Sequence, residues 1–176
     1  MASLLAASGL IVILVLSVVD ATTVVMTTCK AAANSDKRVN YDFCVLELTM
    51  NNDNPNADAW GLAKVAATVG VTIAEKAIAD IKALLTKQET DAKTRKVLLQ
   101  CQNLYHEAEI TFSGAHDSIN NRDYAKAKAE VSLATTFAQK CDDAFAKAAV
   151  PSPLTQRSLY TMQIAIVCTA ITNLIK

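Results

Sequence analysis

An all-α chain, folded as an up-down-up-down four-helix bundle with a helical hairpin ahead of it, is predicted by three features of the sequence. Only four glycines and three prolines interrupt 176 residues of which 52% are hydrophobic, a composition too apolar for disorder and too continuous for the many turns of a sandwich or barrel. Apolar residues recur every three or four positions through four long segments, the period of one helix face. The connections between those segments are short, which favours antiparallel neighbours.

Residues 1–21 read as a signal peptide. Met1 to Val19 carries no charged side chain and centres on Leu10-Ile11-Val12-Ile13-Leu14-Val15-Leu16. That length suits a signal apolar region and is short for a membrane span. Ala21, with Val19 two places before it, offers a small-residue cleavage point, so the mature chain is expected to be secreted and to have no membrane attachment.

Residues 22–53 form the predicted hairpin. Thr22 to Ala33 and Tyr41 to Met50 are helical candidates separated by the polar Asn34-Ser35-Asp36-Lys37-Arg38, each too short to be stable alone in water. Residues 54–176 form the predicted bundle. Its first stripe is Trp60, Ala63, Ala67, Val71, Ala74, Ile78, Ile81 and Leu85, within Ala57 to Gln88. The second, Val97, Cys101, Leu104, Ala108, Phe112, Ala115 and Ile119, lies within Lys93 to Ile119 and ends at Asn120-Asn121, residues that tolerate the conformation closing a helix. Asp123 is placed to cap the third helix, whose stripe runs Tyr124, Ala127, Val131, Ala134, Ala138, Cys141, Phe145 and Ala148. Pro151 and Pro153 stop it. The last segment starts at Thr155, a candidate N-cap, and carries Tyr160, Ile164, Cys168, Ile171 and Ile175 on one face.

Five cysteines follow the cleavage point, and in an oxidising compartment disulfides are the first reading, although the count leaves the pairing open. A bond between Cys29 and Cys44 would staple the hairpin. Cys101 and Cys141 stand at nearly equal distances on either side of Asn120-Asn121, so a bond between them would tie two antiparallel helices. Cys168, on the apolar face of the last segment, is expected to be an inert buried thiol.

The charge balance of 17 basic against 17 acidic residues gives no field for a nucleic-acid backbone, so no nucleic-acid partner is expected. Tyr105 to Ala134 resembles a single tetratricopeptide unit, but no second copy appears at that period. No cysteine spacing suits a metal, and no glycine-rich loop suits a phosphate, so neither metal nor cofactor is expected. His106 and His116 stand about 15 Å apart along one helix and cannot share an ion. Asp142 and Asp143 diverge on a helix and lack the facing geometry of an acid and a base. No catalytic residue is assigned, which leaves binding as the expected class.

One set of motifs is more specific. A Cys-x14-Cys hairpin containing Tyr41-Asp42-Phe43-Cys44, a Cys101 and Cys141 pair spaced across two helices, and Ser152-Pro153-Leu154-Thr155-x-Arg157 ahead of the last helix together resemble the plant invertase and pectin methylesterase inhibitor family. Within it, Thr28-Cys29-Lys30, Val39-Asn40-Tyr41-Asp42-Phe43-Cys44 and Asp123-Tyr124-Ala125 are similar to the pollen-allergen group of invertase inhibitors. The resemblance implies bonds Cys29 to Cys44 and Cys101 to Cys141, a free Cys168, and a non-enzymatic protein of the plant cell wall that blocks the substrate cleft of a carbohydrate-active enzyme. The implied partner is a cell-wall or vacuolar invertase first, and a pectin methylesterase second.

The resemblance also implies a docking element. Invertase inhibitors of the family use a Pro-Lys-Phe motif in the turn between the second and third bundle helices, and the matching positions here are Arg122, Asp123 and Tyr124. Only the aromatic character is kept, and Asp reverses the charge of Lys. The expected target-binding turn is Asn120, Asn121, Arg122, Asp123 and Tyr124, with Arg122 reaching a cleft carboxylate and Tyr124 filling a sugar subsite. The plainer alternative is a capped turn with Tyr124 packed as the first rung of its helix. Pectin methylesterase inhibitors instead lay bundle helices across the cleft, for which the faces of Ala57 to Gln88 and Lys93 to Ile119 are available. A non-inhibitory structural or ligand-carrying role on the same scaffold is the remaining alternative, and the alanine-rich stripes argue against a lipid cavity.

Overall fold

The structure, a computed structural model, describes residues 21–54 and 57–176. The expected signal segment lies outside the described residues except for Ala21. Six helices make up the described chain: α1 (Ala21–Ser35), α2 (Tyr41–Asn51), α3 (Ala59–Thr86), α4 (Ala92–Asn120), α5 (Tyr124–Ala148) and α6 (Thr155–Thr172).

Four of the six begin on an Asn or Asp whose carboxamide or carboxylate accepts the first free amides. Asn40 Oδ1 accepts from Phe43 N at 3.1 Å, Asp58 from Gly61 N at 2.9 Å, Asp91 from Lys93 N and Thr94 N at 3.0 Å, and Asp123 from Lys126 N at 3.1 Å. Each cap satisfies donors that the helix itself cannot, typically worth about 1 kcal/mol. The expected cap at Thr155 is not formed. Leu154 holds the N-cap position without a side-chain bond, and Ser152 Oγ accepts from Leu154 N at 3.2 Å while Thr155 Oγ1 donates back to Ser152 O at 3.1 Å. The helix starts one residue earlier than expected, with Leu154 fully buried as the anchor of the turn.

α3 to α6 form the bundle. α3 packs on α4 and α6, and α5 packs on the same two helices, which is the antiparallel arrangement that the short connections predict. α1 and α2 form the hairpin, which rests on α6 and, through α2, on α3. Cys29 and Cys44 close the hairpin with Cα atoms 5.8 Å apart, and Cys101 and Cys141 join α4 to α5 at 5.0 Å. Arg157 Nε in α6 reaches Asp80 Oδ2 in α3 at 2.7 Å, so the Arg of the Ser-Pro-Leu-Thr-x-Arg motif ties the last helix to the first of the bundle.

Every stripe residue of the second helix except Leu104 is buried, as is the third stripe between its two ends. The buried face of α3 is turned from the expected stripe: Ala63, Ala67, Ala74 and Ile81 are buried together with Leu62, Ala66, Val69, Ile73 and Ala77, whereas Trp60, Val71, Ile78 and Leu85 are only half-buried, because α3 meets two bundle helices and the hairpin. Tyr160, placed on the core face of the last helix by periodicity, is 37% exposed. It lies where the hairpin crosses α6 and turns its ring toward Phe43, with centroids 5.7 Å apart.

Small residues set how close the helices come. Gly70 of α3 faces the fully buried ring of Phe112 in α4, and a Cβ at Gly70 would stand 2.6 Å from its Cγ and Cε1. At the far end of α5, Ala149 takes a left-handed conformation at φ 50°. The amides of Ala149 and Val150 there bond Ala146 O and Phe145 O at 2.9 and 3.2 Å, the paired C-terminal closure that precedes Pro151.

Candidate functional site

The turn between α4 and α5 is built by the same closure. Asp123 N donates to Ser118 O at 2.8 Å and Arg122 N to Ile119 O at 3.0 Å, and the residue that takes the left-handed conformation is Arg122, at φ 62°. Asn120-Asn121 was expected to supply that conformation. Asn121 instead sits at φ −83° as the last half-helical residue, because two amides must turn back to Ile119 and Ser118 and only the position after the cap can aim them. An arginine there costs roughly 1 kcal/mol relative to glycine.

Asn120, Asn121, Arg122 and Asp123 are exposed. Tyr124 is half-buried, its ring packed against the core, and its Oη is enclosed with no protein hydrogen bond. The carboxylate of Asp123 is occupied by the cap on α5. Arg122 is therefore the long side chain of the turn that reaches solvent, while Tyr124 supports the turn from beneath.

Trp60, the one tryptophan of the chain, holds this turn from the first residues of α3. Its indole Nε1 donates to Ile119 O at 2.9 Å. Lys64 Nζ stands 3.4 Å from the ring centroid and Arg122 Cζ 5.6 Å from it, and Lys64 also donates to Asn120 Oδ1 at 3.3 Å. Cations over an indole face gain about 0.5–1 kcal/mol at exposed sites. The result is a cationic, aromatic-backed corner at one end of the bundle, with His116 lining the adjoining groove. The periodicity of α3 marks Trp60 only as a rung of the stripe. The available signal is that a tryptophan near a helix start needs an acceptor for its N–H.

Elsewhere the titratable groups are engaged structurally. Ser158 Oγ gives its proton to Asp142 Oδ1 at 2.9 Å, so Tyr105 Oη donates to Ser158 Oγ at 3.0 Å. Burial pushes the Tyr105 phenol up to about 12, and burial likewise raises the Asp142 carboxyl. Asp143 accepts instead from Gln139 Nε2 at 3.2 Å, so the adjacent carboxylates are not brought together. His106 pairs with Glu109 at 3.2 Å and His116 with Asp117 at 3.3 Å. Among the described residues no group of three or more His, Cys, Asp or Glu converges as a metal site, and no helix is long and apolar enough to cross a membrane.

Cys168 is fully buried in α6 with its Sγ 3.6 Å from Ala63 O, and burial pushes its thiol up to about 12. Since the thiolate is the reactive form, the native protein is expected to react with a disulfide reagent more than about 100-fold more slowly than the same protein in strong denaturant. Equal rates would show that the thiol is open to solvent.

A sequence model described as Plant invertase/pectin methylesterase inhibitor matches residues 23–171. Pectinesterase inhibitor 8 of Oryza sativa subsp. japonica is 49% identical over 151 residues, covering 85% of this chain and 82% of its own. A Platanus acerifolia protein provisionally named as an invertase inhibitor is 31% identical over 164 residues, covering 93% and 91%. Among solved structures, a mutant form of a pectin methylesterase inhibitor from Arabidopsis superposes with a TM-score of 0.68 at 18% identity, over 86% of this chain and 97% of that one, a likeness that concerns the fold.

Proposed function

Since the chain belongs to the plant invertase/pectin methylesterase inhibitor family and is thereby an enzyme inhibitor rather than an enzyme, we propose that its target is a pectin methylesterase of the cell wall. The observation that carries this choice is the 49% identity to a rice pectinesterase inhibitor, sustained over most of both chains, against 31% to the Platanus protein. The pollen-type motifs pointed first to invertase, which stays as the second reading. It is favoured by the position of the Arg122-Asp123-Tyr124 turn and weakened by an aspartate whose carboxylate is spent on the helix cap. The uncharged stretch from Met1 to Val19 supports export of the inhibitor to the wall.

In this reading the α3 and α4 faces next to the turn lie across the enzyme cleft, and the cationic corner at their end anchors them. Arg122 projects from the turn beside Trp60 and Lys64, a grouping of the aromatic and guanidinium chemistry that concentrates binding energy at interfaces. A carboxylate in the enzyme cleft would accept both guanidinium N–H groups.

The test uses the left-handed conformation of Arg122. Arg122→Gly removes the guanidinium and suits φ 62° better than arginine does, so the fold is kept. Inhibition of pectin methylesterase is expected to weaken by about tenfold or more, roughly 1.4 kcal/mol, with an unchanged or higher melting temperature. Unaltered inhibition would move the interface off the turn. Side-by-side assays of the parent protein on purified pectin methylesterase and invertase decide the target: inhibition of invertase alone would reverse the choice.

A further inference from the structure

At the end of the bundle opposite the turn, the start of α4 and the end of α5 enclose an open groove of about 420 Å³ whose walls carry Lys93, Lys96, Lys140 and Lys147. The Cys101 to Cys141 bond sets the register: counting outward from it along antiparallel helices brings Lys96 level with Lys147, puts Lys93 further out, and leaves Lys140 beside the bond itself. All four are exposed, and among the described residues none stands within ion-pair distance of a carboxylate. Asp143 is the one acid on the walls, and it is held by Gln139. Val97, Leu104 and Ala144 form an apolar floor.

Helix stability accounts for only part of this arrangement, since Lys147 alone of the four suits its place, in the last turn of α5. At the start of α4 the Asp91 carboxylate is spent on the cap, and Lys93 and Lys96 stand near the positive end of that helix dipole, which disfavours them. Four like charges on one groove, none paired with a carboxylate and one, Lys140, lying over the Phe137 ring, repel one another as well. In a chain with equal numbers of acidic and basic residues, such a departure from local rules marks a surface kept for a partner.

We propose that this groove binds a linear carboxylated polysaccharide, the de-esterified polyuronate that a pectin methylesterase leaves behind. The choice of polymer rests on the proposed target, since hydrolysis of each methyl ester frees one carboxylate and turns a neutral chain into a row of anions. A row of anions is what two facing rows of lysines complement, and apolar C–H faces of the sugar rings suit the floor between them. The groove and the docking turn lie at opposite ends of α4, about 35 Å apart at the helical rise, so the polymer and the enzyme can be held at once. The inhibitor would thereby collect where its target has already acted.

The test measures retention of the oxidised protein on polygalacturonate and on fully methyl-esterified pectin, for the parent and for K93Q/K96Q/K140Q/K147Q. The parent is expected to bind polygalacturonate at low salt, to release it as salt screens the charges, and to ignore the esterified polymer. The quadruple variant should bind polygalacturonate at least about tenfold more weakly while melting no lower than the parent. K96E/K140E, which reverses two charges, should abolish retention. Equal binding by the variants, binding of esterified pectin, or tighter binding of a sulfated or phosphate polymer than of polygalacturonate would each overturn the proposal. Because retention is read without the enzyme, its failure leaves the inhibitor assignment standing, and failure of inhibition leaves retention interpretable.

Discussion

Replacing Cys101 and Cys141 together by alanine is expected to lower the free energy of unfolding by about 4 kcal/mol, the entropy that a cross-link across some 40 residues removes from the unfolded chain. The bond joins α4 to α5 at a sequence separation of 40, whereas Cys29 to Cys44 closes a separation of 15. The corresponding hairpin variant is thus expected to lose less, about 3 kcal/mol on the same chain-entropy relation. Small domains are stable by roughly 5–15 kcal/mol, so the loss at the bundle bond is a large share of the total. Urea unfolding of both variants under oxidising conditions measures the two losses. A bundle variant as stable as the parent would show that packing along α4 and α5 already restrains the unfolded chain as much as the bond does.

Gly70→Ala is expected to destabilise the protein by about 2 kcal/mol, the opposite of what helix propensity predicts. Alanine is favoured over glycine inside a helix by about 1 kcal/mol, and Gly70 lies well within α3. The added Cβ, however, would stand 2.6 Å from two ring carbons of Phe112 and closer still to Cδ1. That ring is fully buried, so it can yield only by pushing α3 and α4 apart, and overpacking of this kind costs about 1–3 kcal/mol beyond the propensity gain. A double-mutant cycle with Phe112→Leu isolates the clash: Gly70→Ala should be far less costly where the ring has gone. A rise in the urea midpoint of the single variant would mean that the helices have slack at this crossing.

What could be read from the sequence follows from the range of each interaction. Apolar stripes at helical period are local, and they placed the helices because a half-buried helix must show them. Asp123 was legible as a cap for the same reason: the chemistry of a helix start is contained within three residues. Arg122 was not, since any residue can be forced into the left-handed position when two carbonyls behind it need donors, and the nearby asparagines looked better suited. Tyr160 obeys the period of α6 yet turns outward, because the hairpin that crosses there is set by tertiary packing. The bond from Trp60 to Ile119 O and the contact of Gly70 with Phe112 join residues far apart in the chain. No periodicity encodes them, so the corner that forms the candidate site was visible only as its α4–α5 half. The lysines of α4 and α5 were likewise scattered in the sequence until the Cys101 to Cys141 register brought them to one groove.

The two disulfides are consecutive and not interleaved, and the odd thiol is the last cysteine in the chain. During synthesis from the N-terminus, where segments emerge and fold in order, Cys29 meets Cys44 before any other cysteine has appeared. Cys101 then waits only for Cys141, with the first pair already withdrawn from exchange. Cys168 arrives when no partner is left and α6 carries it into the core. The linear order of five thiols thus acts as a schedule, under which a chain oxidised as it emerges has a native partner available at each step and no need to reshuffle.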